Sequence, residues 1–392
     1  MLPLSDIAVV AVEQAVAAPF ATRQLADLGA RVIKVERPGE GDFARGYDHA
    51  VNGMSSHFVW LNRSKRSLSL DLKSEQGRTV MTKLLERADV LVSNLAPGAM
   101  GRLGLSMLEV RRAFPKMIVC EISGYGSSGP YQDRKAYDLL VQAESGLLSV
   151  TGDPAWPAKV GISVADIAAG SYAYSGILSA LIKRGRTGEG SGVSVSLFDA
   201  LGEWMGFPAY YTRYSGKQPE RTGTRHATIA PYGDFKTADG STLYIAVQNE
   251  REWARFCSSV LASPELSRDP RFVTNASRVR ERRALYDVIE TVFGALSKDD
   301  IVTRLRAAEI AYADVNDVLG FLQHPQLAAR NRFRDVDSPV GTLSALIPPV
   351  DLEGVEPVMK AVPDLGEHSE NTLLELGYRP EEIDKMRQEG VI

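Results

Sequence analysis

The chain has 392 residues, enough for two domains that each bury a core of their own. Hydrophobic residues make up 44% and charged residues 24%, the proportions of an ordinary globular protein. With 45 Lys and Arg against 49 Asp and Glu, the formal net charge of −4 argues against non-specific nucleic-acid binding and leaves room only for a local basic patch.

The first half of the chain alternates strands with helices. The apolar run IAVVAVE (7–13) predicts a strand, PFATRQLADLGA (19–30) predicts a helix that stops at Gly29, and RVIKVE (31–36) predicts a second strand. The same rhythm continues through further elements: strands at 67–72, 89–94 and 117–126, a helix at 74–88 that Ser74 caps, and a helix at 106–114. Repeated strand–helix–strand units indicate parallel crossovers and therefore a Rossmann-like sheet.

The turn after the first predicted strand bears on the ligand. It reads EQAVAAPF (13–20) and holds no glycine, whereas a dinucleotide-binding sheet carries G-x-G-x-x-G at this place. The glycines of that motif let the backbone approach a pyrophosphate closely. We therefore expect the sheet to bind a ligand other than NAD.

The pattern changes in the second half. After helices predicted at 137–152 and 166–184, the stretch YGDFKTADGSTLYIAVQN (232–249) predicts an antiparallel hairpin around Ala-Asp-Gly. Further helices are predicted at 250–261, 277–296 and 298–310. We interpret 225–330 as a smaller domain with both helices and strands, and the tail from Leu365 as two short helices docked on the rest of the chain.

The cysteines and the first residues bear on the compartment. Cys120 and Cys257 have neither metal-ligand spacing nor a disulfide pattern, which is typical of a reducing cytosol. The five histidines form no i, i+4 pair and no triad, so no metal site is expected. The start MLPLSDIAVVAVEQ has an early acid and no basic n-region, and the sequence has no apolar run of about 18 residues. We expect a cytoplasmic protein that does not enter a membrane.

Asp166 lies in the apolar stretch KVGISVADIAAGSYAYSGILSALIKR (159–184). The structural interpretation is a helix N-cap, because Asp is a favoured cap and a periodic apolar helix follows directly. The functional interpretation is a nucleophile: a helix N-terminus keeps a carboxylate ionised and offers N–H groups to an oxyanion. Small neighbours would let a bulky ligand come close: Gly161, Ala165, Ala168, Ala169 and Gly170. The two roles are compatible.

Four cations follow predicted strands or lie at loop ends: Arg37, Lys73, Arg102 and Lys135. Taken singly, such residues are most often solvated surface charges. Open α/β sheets, however, bind ligands at the carboxyl ends of their strands. Several cations converging at that edge would suit a phosphate-rich ligand.

Tyr137 and Asp138 stand together ahead of a predicted helix. Their spacing alone favours a helix cap at Asp138 and a surface tyrosine. The stretch RTGTRHATIAPYGDF (221–235) is dense in cationic and hydroxyl side chains and includes Arg225 and His226. It is either a polar linker between domains or a clamp for an anionic substrate.

Six stretches occur in an order that is typical of one family: LADLGARVIKVERPGEGDFARG, NRSKRSLSLDLKSEQG, ADVLVSNLAPGAMGRLGL, ISGYGSSGPYQDRKAYD, the Asp166 segment, and LGEHSENTLLELGY. In these stretches, and from end to end, the chain resembles the class III CoA transferases, the group of formyl-CoA transferase and carnitine CoA-transferase.

The resemblance implies a fold and an assembly. The fold is α/β, with a Rossmann-like large domain at 1–200 completed by 331–392, a linker at 201–224 and the small α+β domain at 225–330. Two such subunits thread through each other as an interlocked homodimer. The partners are an acyl-CoA and a small carboxylic acid, so coenzyme A is a co-substrate and no cofactor stays bound.

The resemblance also implies roles for particular residues. The family's catalytic aspartate falls on Asp166, its active-site tyrosine on Tyr137 and the neighbouring acid on Asp138. We place the last two at the substrate. The family's CoA-binding positions fall on Arg37, Lys73, Arg102 and Lys135, with Asn94 and Leu95 beside the pantetheine or nucleotide.

Two departures from the family bear on the substrate. Formyl-CoA transferase covers its active site with a glycine-rich loop, but TRHATIAPYG (224–233) stands there in this chain. Formate and oxalate are therefore disfavoured, and we expect Arg225 and His226 to receive the second carboxylate of a longer dicarboxylic acid. The related α-methylacyl-CoA racemases carry a histidine where Tyr137 stands, so racemisation would lack one of its two bases.

These residues lead to one hypothesis and three alternatives. The hypothesis is transfer of CoA from an acyl-CoA, such as succinyl-CoA, to a short dicarboxylic acid through aspartyl anhydride and aspartyl-CoA thioester intermediates on Asp166. An isomerase would move CoA within one molecule such as mesaconyl-CoA, and a racemase would exchange an α-proton. A CoA-binding protein without catalysis would need no nucleophile.

Overall fold

The computed structural model describes residues 2–392, which separate into two compact units. The large unit holds the residues up to Ser145, Val160–Met205 and Gln326–Ile392. The small unit holds Gly146–Lys159 and Gly206–Pro325. Three segments therefore differ from the sequence prediction. Residues 146–159, expected in the large domain, and the part of the expected linker from 206 onward cluster with the small unit, whereas 326–330, expected in the small domain, cluster with the large unit.

A six-stranded parallel sheet forms the centre of the large unit. Its strands are β1 (Ala8–Val12), β2 (Arg31–Glu36), β3 (Arg66–Ser69), β4 (Val90–Ser93), β5 (Ile118–Ser123) and β6 (Gly192–Ser196). The spatial order is β3-β2-β1-β4-β5-β6, so the direction of winding reverses between β1 and β4. Ligands of open α/β sheets bind outside the carboxyl ends of the strands at such a reversal.

Helices cover this sheet, and their starts follow local chemistry. Ser74 and Ser106 accept hydrogen bonds from N–H groups three residues on and cap the helices that follow them. The helices of the large unit up to the end of this sheet are α1 (Ala17–Asp27), α2 (Ser56–Asn62), α3 (Glu75–Leu85), α4 (Ala99–Arg102), α5 (Met107–Ala113), α6 (Asp138–Glu144), α8 (Val164–Thr187) and α9 (Leu197–Trp204), with a 3-10 turn at Phe43–Gly46. The short helix α7 (Leu147–Val150) belongs to the small unit. Among residues 2–392, no helix has both the length and the apolar content that a membrane span requires.

The contact between α1 and α8 fixes where Asp166 lies. At Gly170, a Cβ atom would stand 2.5 Å from the carbonyl oxygen of Ala17, so only glycine permits this approach. Asp166 precedes Gly170 by one turn on the same face of α8. Helices that connect parallel strands run against the strand direction, so α1 and α8 both begin at the carboxyl edge of the sheet. Asp166 therefore lies at that edge, near the start of α1.

The small unit is built on a three-stranded antiparallel sheet, β7 (Tyr232–Lys236), β8 (Thr242–Ala246) and β9 (Ala311–Asp314). The predicted hairpin is confirmed as β7 and β8, whereas β9 was not predicted. Around them lie α10 (Gly206–Ser215), α11 (Glu250–Arg255) with a π-helical turn at Phe256–Val260, a 3-10 turn at Pro264–Arg268, α12 (Asn275–Arg280), α13 (Arg282–Phe293), α14 (Lys298–Ala307) and α15 (Val318–Leu322). The aromatic side chains of Trp253, Phe256 and Phe293 form its core.

The chain then returns to the large unit through α16 (Pro325–Ala329), the hairpin of β10 (Phe333–Val336) and β11 (Leu343–Leu346), α17 (Ser369–Glu375) and α18 (Pro380–Gln388). The backbone N–H of Ser69 in β3 donates to Ser369 Oγ at 3.0 Å. Leu373 and Ile383 from these helices are buried in the same core as the sheet residues. The predicted docking of the two tail helices is confirmed.

Candidate active site

Asp166 does not occupy the capping position that the sequence suggested. Helix α8 begins at Val164 with Ser163 at the N-cap, so Asp166 is the third residue of the first turn. The prediction of an Asp166 cap is wrong because another carboxylate, Asp138, supplies the acceptor from α6. Asp138 is itself the first residue of α6 and not its N-cap, which is Tyr137.

Asp138 lies at the centre of a hydrogen-bond chain. Its Oδ1 accepts from the backbone N–H of Ala165 at 2.7 Å and of Asp166 at 3.4 Å. Its Oδ2 accepts from Gln142 Nε2 at 2.6 Å, while the N–H of Val160 donates to Gln142 Oε1 at 2.9 Å. Two N–H groups that the sequence suggested as oxyanion donors are therefore already engaged by a carboxylate.

The pKa of Asp166 is also shifted in the direction opposite to the one expected from the sequence, which predicted an ionised carboxylate. Burial, and after it the negative charge of Asp138, raises the pKa of Asp166 to about 7. Tyr47 and Tyr137 belong to the same neighbourhood: burial together with Asp42, Asp166 and Tyr137 raises the pKa of Tyr47 to about 12. The positive end of α8 does not outweigh these effects.

Tyr47 is a site residue that the sequence analysis missed. Its ring meets the ring of His57 edge-on at 5.3 Å. It is 47% exposed and Tyr137 is 63% exposed, so both rings are accessible to a ligand near Asp166. Tyr47 lies between a 3-10 turn and α2, in irregular chain where no periodicity marks it.

A cavity of about 120 Å³ opens at the carboxyl ends of β1 to β4. Three of the predicted CoA-binding residues line it: Arg37 after β2, Lys73 after β3 and Leu95 after β4. Arg37 is exposed and ion-paired with Glu40 at 2.6 Å, and Lys73 is exposed. This is the reversal point of the sheet, with two cations at its rim.

The remaining predicted CoA residues are placed differently. Asn94 accepts a hydrogen bond from the N–H of Gln14 at 2.9 Å and donates to its carbonyl at 2.8 Å, so it ties β4 to the turn after β1. Arg102, the last residue of α4, and Lys135, in the loop before α6, are exposed and lie outside the lining of the cavity.

Buried charged side chains also hold the turn after β1. Asp42 accepts a hydrogen bond from Lys34 Nζ at 2.8 Å, and its two oxygens accept from the N–H of Ala15 at 3.0 and 3.2 Å. Ala15 has φ +59°, a left-handed conformation that costs an alanine energy. Burial alone would raise the pKa of Asp42, but Lys34 and the N–H of Ala15 outweigh it and lower it.

A second pair extends this network. Lys65 Nζ donates to Glu13 Oε1 at 2.7 Å, and Lys34 reaches the same oxygen at 3.4 Å. Burial lowers the pKa of Lys65 to about 8 against the attraction of Glu13. The sequence signal was available: Lys34 stands in the middle of the apolar strand RVIKVE, where only a paired cation is tolerated.

The loop that carries Arg225 and His226 belongs to the small unit. Arg225 is already paired, with Glu290 at 3.0 Å and Asp234 at 3.5 Å, and lies 4.5 Å over the ring of Tyr286.

His226 in this loop is held as a neutral ring. It stacks on Tyr232 at 5.2 Å, and its Nδ1 accepts from the N–H of Thr228 at 3.2 Å. Burial and the nearby Arg282 lower its pKa, so at neutral pH its proton lies on Nε2. His226 therefore offers a substrate a hydrogen-bond donor without a charge.

Side chains of α12 and α13 form hydrogen bonds with the backbone of residues 226–230. Arg282 Nη2 donates to two carbonyl oxygens of this segment at 2.7 and 2.8 Å, and Arg278 Nε donates to a third at 2.7 Å. Asn275 accepts from one N–H at 3.1 Å and donates to one carbonyl at 2.9 Å. The sequence analysis did not single out these three residues. Their hydrogen bonds fix the loop that stands where the family resemblance places the glycine-rich loop of formyl-CoA transferase.

Known proteins match this sequence over nearly the whole chain. The sequence model of CoA-transferase family III matches residues 4–369. The succinate–glutarate CoA-transferase of Agrobacterium fabrum is 34% identical over 95% of this chain and 96% of its own length. The acetyl-CoA:oxalate CoA-transferase of Acetobacter aceti is 36% identical over 84% of this chain and 85% of its own. A crystal structure of a CaiB/BaiF family protein from Brucella suis superposes with a TM-score of 0.82 at 34% identity, covering 95% of this chain and 99% of that one.

Proposed function

Because the chain belongs to CoA-transferase family III, we propose that this enzyme moves CoA from an acyl-CoA, with succinyl-CoA as the leading donor, to a short dicarboxylic acid. The observation that carries the proposal is the Asp166 carboxylate at the carboxyl edge of the parallel sheet, the edge at which a cavity with two cations at its rim also opens. The names of the Agrobacterium and Acetobacter relatives support the acid class, since glutarate and oxalate are both dicarboxylates, and the second name returns oxalate, which the sequence disfavoured, to the candidate acids.

The proposed chemistry begins with attack of the Asp166 carboxylate on the thioester carbonyl. The C–S bond breaks, CoA leaves as a thiolate, and a mixed anhydride remains on Asp166. The thiolate then attacks the aspartyl carbonyl, which frees the first acid and leaves an aspartyl-CoA thioester. The second acid repeats both steps in reverse and leaves as its CoA ester. Each intermediate is as activated as a thioester, so no ATP is consumed.

Oxyanions formed in these steps need donors other than the start of α8, where Asp138 occupies two N–H groups. We assign them to the start of α1. Its N-cap residue, Val16, has no side-chain cap, and a helix leaves its first N–H groups, here those of Ala17 and Ala18, without intrahelical partners. Loss of one such donor typically raises a barrier by about 2.7–4 kcal/mol.

The cations at the cavity rim are assigned to CoA. Arg37 and Lys73 would face the phosphates, with Arg102 and Lys135 farther along the same ligand and Asn94 and Leu95 beside it. Holding CoA in this way keeps the released thiolate at a high effective concentration beside the anhydride. The thiolate is then recaptured before it diffuses away.

The second carboxylate of the acid is assigned to Arg225 and His226, with Tyr137 also at the substrate. Arg225 brings a guanidinium already shared with Glu290, and His226 brings a neutral Nε2–H. If Arg225→Ala leaves the ratio of dicarboxylate to monocarboxylate turnover unchanged, the assignment of Arg225 is wrong. Glu290→Gln, which removes one of the two carboxylates paired with Arg225, is the matched variant and should strengthen the preference for dicarboxylates.

The proposed assembly is the interlocked homodimer that the family resemblance implies. Helix α10 leaves large aromatic side chains exposed on the small unit: Phe207 at 53%, Tyr210 at 69% and Tyr214 at 78%. Soluble monomers seldom expose so many aromatics on one helix, and a second copy would cover them. Native mass spectrometry tests this, since a monomer at micromolar concentration would contradict the proposal.

The decisive experiment is mass spectrometry of the CoA esters formed from succinyl-CoA with a panel of acids that includes glutarate, oxalate, mesaconate and acetate. A new ester with a dicarboxylate, lost in Asp166→Ala, supports the proposal. Rearrangement of mesaconyl-CoA without any added acid would instead identify the isomerase. Entry of solvent deuterium at the acyl α-carbon would identify the racemase, and binding of CoA esters without turnover would leave a CoA-binding protein.

A further inference from the structure

We propose that Asp138 does not bind the acid substrate but is a positioning residue for Asp166, capping α8 and presenting a fixed negative charge to the nucleophile. The inference rests on the proposed function only in taking Asp166 as the nucleophile. It changes the role that the family resemblance implies for Asp138, and it follows from contacts within the large unit alone.

The geometry leaves Asp138 little capacity for a ligand. Its two oxygens accept three hydrogen bonds, from Ala165, Asp166 and Gln142, at 2.7, 3.4 and 2.6 Å. Gln142 is 0% exposed and is held at its other end by Val160, so it cannot swing away to release the carboxylate. An acid substrate would also meet a like charge at Asp138.

Helix α8 depends on this acceptor. Ala165 is 0% exposed, so its N–H has no access to water, and the N-cap residue Ser163 offers it no side-chain oxygen. A buried N–H without a partner costs about 1–3 kcal/mol, so the hydrogen bond to Asp138 stabilises the first turn of α8 in its position. The position of Asp166, one residue later, is set by the same contact.

The charge acts separately from the cap. All three donors to Asp138 are N–H groups. Among the described residues, the ionisable groups coupled to Asp166 are Asp138 from α6 and Tyr47 from the loop before α2. Neither is a cation, so the Asp138 charge disfavours the ionised nucleophile and delays its formation to higher pH.

Asp138→Asn separates the two effects. The Asn Oδ1 can still accept from Ala165, so the cap survives while the charge is lost. The Asn Nδ2 takes the place of the oxygen that accepts from Gln142, so Gln142→Ala, which removes that hydrogen bond and keeps the charge, is the control for this contact. We expect the acid limb of the kcat/KM profile to move to lower pH by about half a unit or more, because like charges a few ångströms apart interact this strongly even at high effective dielectric. The KM for the acid should change less than threefold. Asp138→Glu, which keeps the charge, should keep the acid limb near that of the wild type.

A second readout needs no turnover. The pH at which wild type and Asp166→Asn diverge in unfolding free energy reports ionisation of Asp166, and it should fall by a similar amount when both proteins also carry Asp138→Asn. The control is Glu144→Gln on the same helix, an exposed carboxylate paired with Arg134 at 2.8 Å, which should move neither measurement. Asp138→Ser is the neutral substitute if the Asn variant does not fold.

Three results would overturn the proposal. The first is an acid limb and a stability divergence that stay at the wild-type pH in the neutral variants. The second is a KM for the acid raised tenfold or more with kcat retained, which would make Asp138 a substrate ligand. The third is an equal movement in Glu144→Gln. If the wild type transfers no CoA to any acid, the proposed function fails, yet the stability divergence still tests Asp138.

Discussion

Replacing Asp166, the proposed nucleophile, should make the protein more stable, and the gain should grow as the pH rises. Asp166→Asn keeps the shape of the side chain and removes a carboxyl whose pKa is raised to about 7 by burial and by Asp138. A carboxyl with a raised pKa stabilises the folded state in its protonated form. This contribution is complete below the unfolded pKa of about 3.9 and is lost as the pH rises through about 7.

The magnitude follows from the rise of about 3 in pKa, at about 1.36 kcal/mol for each unit, which sets an upper limit of about 4 kcal/mol. Asp166 is partly accessible to water, so we expect about 1–3 kcal/mol of the limit to be realised at pH 8. At pH 5 the folded carboxyl is protonated but the unfolded one is ionised, so about a third of the difference between the two proteins is already present, and they become nearly equal only below about pH 3.9. Functional groups held in such environments commonly cost stability.

The assay is urea and thermal unfolding of both proteins at pH 5.0 and pH 8.0. A gain of about 1–3 kcal/mol at pH 8 corresponds to about 1–2 °C in Tm for each kcal/mol in a chain of this length. Glu144→Gln removes an exposed carboxylate and should show no pH-dependent gain. The reasoning is refuted if Asp166→Asn is equally stabilised at both pH values, or is less stable than the wild type at pH 8.

Three further substitutions test the contact between α1 and α8, the buried pair of Lys34 and Asp42, and the rim of the cavity. Gly170→Ala should cost about 1–3 kcal/mol of unfolding free energy and most of the activity, because the new Cβ would overlap the Ala17 carbonyl at 2.5 Å and push α8 off α1. Asp42→Asn should cost about 3–5 kcal/mol in urea unfolding, because it leaves Lys34 buried without its nearest counter-charge. Lys73→Ala should raise KM for the acyl-CoA about 5–10-fold in steady-state kinetics with little change in kcat, as loss of one charge-assisted hydrogen bond would.

Two of these substitutions have a matched control. Gly185→Ala lies in the same helix as Gly170 with nothing within 4 Å of the new Cβ, and should be neutral or stabilising. Lys116→Ala precedes β5 at the opposite edge of the sheet from Lys73, and should leave KM unchanged. A loss at Gly185 equal to that at Gly170, or a KM effect at Lys116 equal to that at Lys73, would contradict the corresponding argument. For Asp42, a variant as stable as the wild type would do so.

The sequence by itself determined the elements whose signals are local. Strand β2 was predicted at the residues where it occurs, because the β-branched residues Val32, Ile33 and Val35 favour a strand and stop signals stand on each side. The cap at Ser74 and the hairpin of β7 and β8 were likewise readable, since side-chain-to-backbone bonds and turn chemistry act over three or four residues. The family resemblance, and not any local pattern, singled out Asp166 as the nucleophile.

The tertiary structure decided what depends on residues far apart in the chain. The cap of α8 comes from Asp138, nearly thirty residues earlier than the N–H groups it accepts from, and no local rule could have chosen it over Asp166 itself. The same holds for the hydrogen bond between Asp42 and the N–H of Ala15, and for the hydrogen bonds that fix the backbone of residues 226–230. A local pattern reports a residue's own helix or strand, whereas the ionisation of Asp166 depends on how deeply it is buried and on which charge lies beside it, and both exist only once α6 and α8 have packed together.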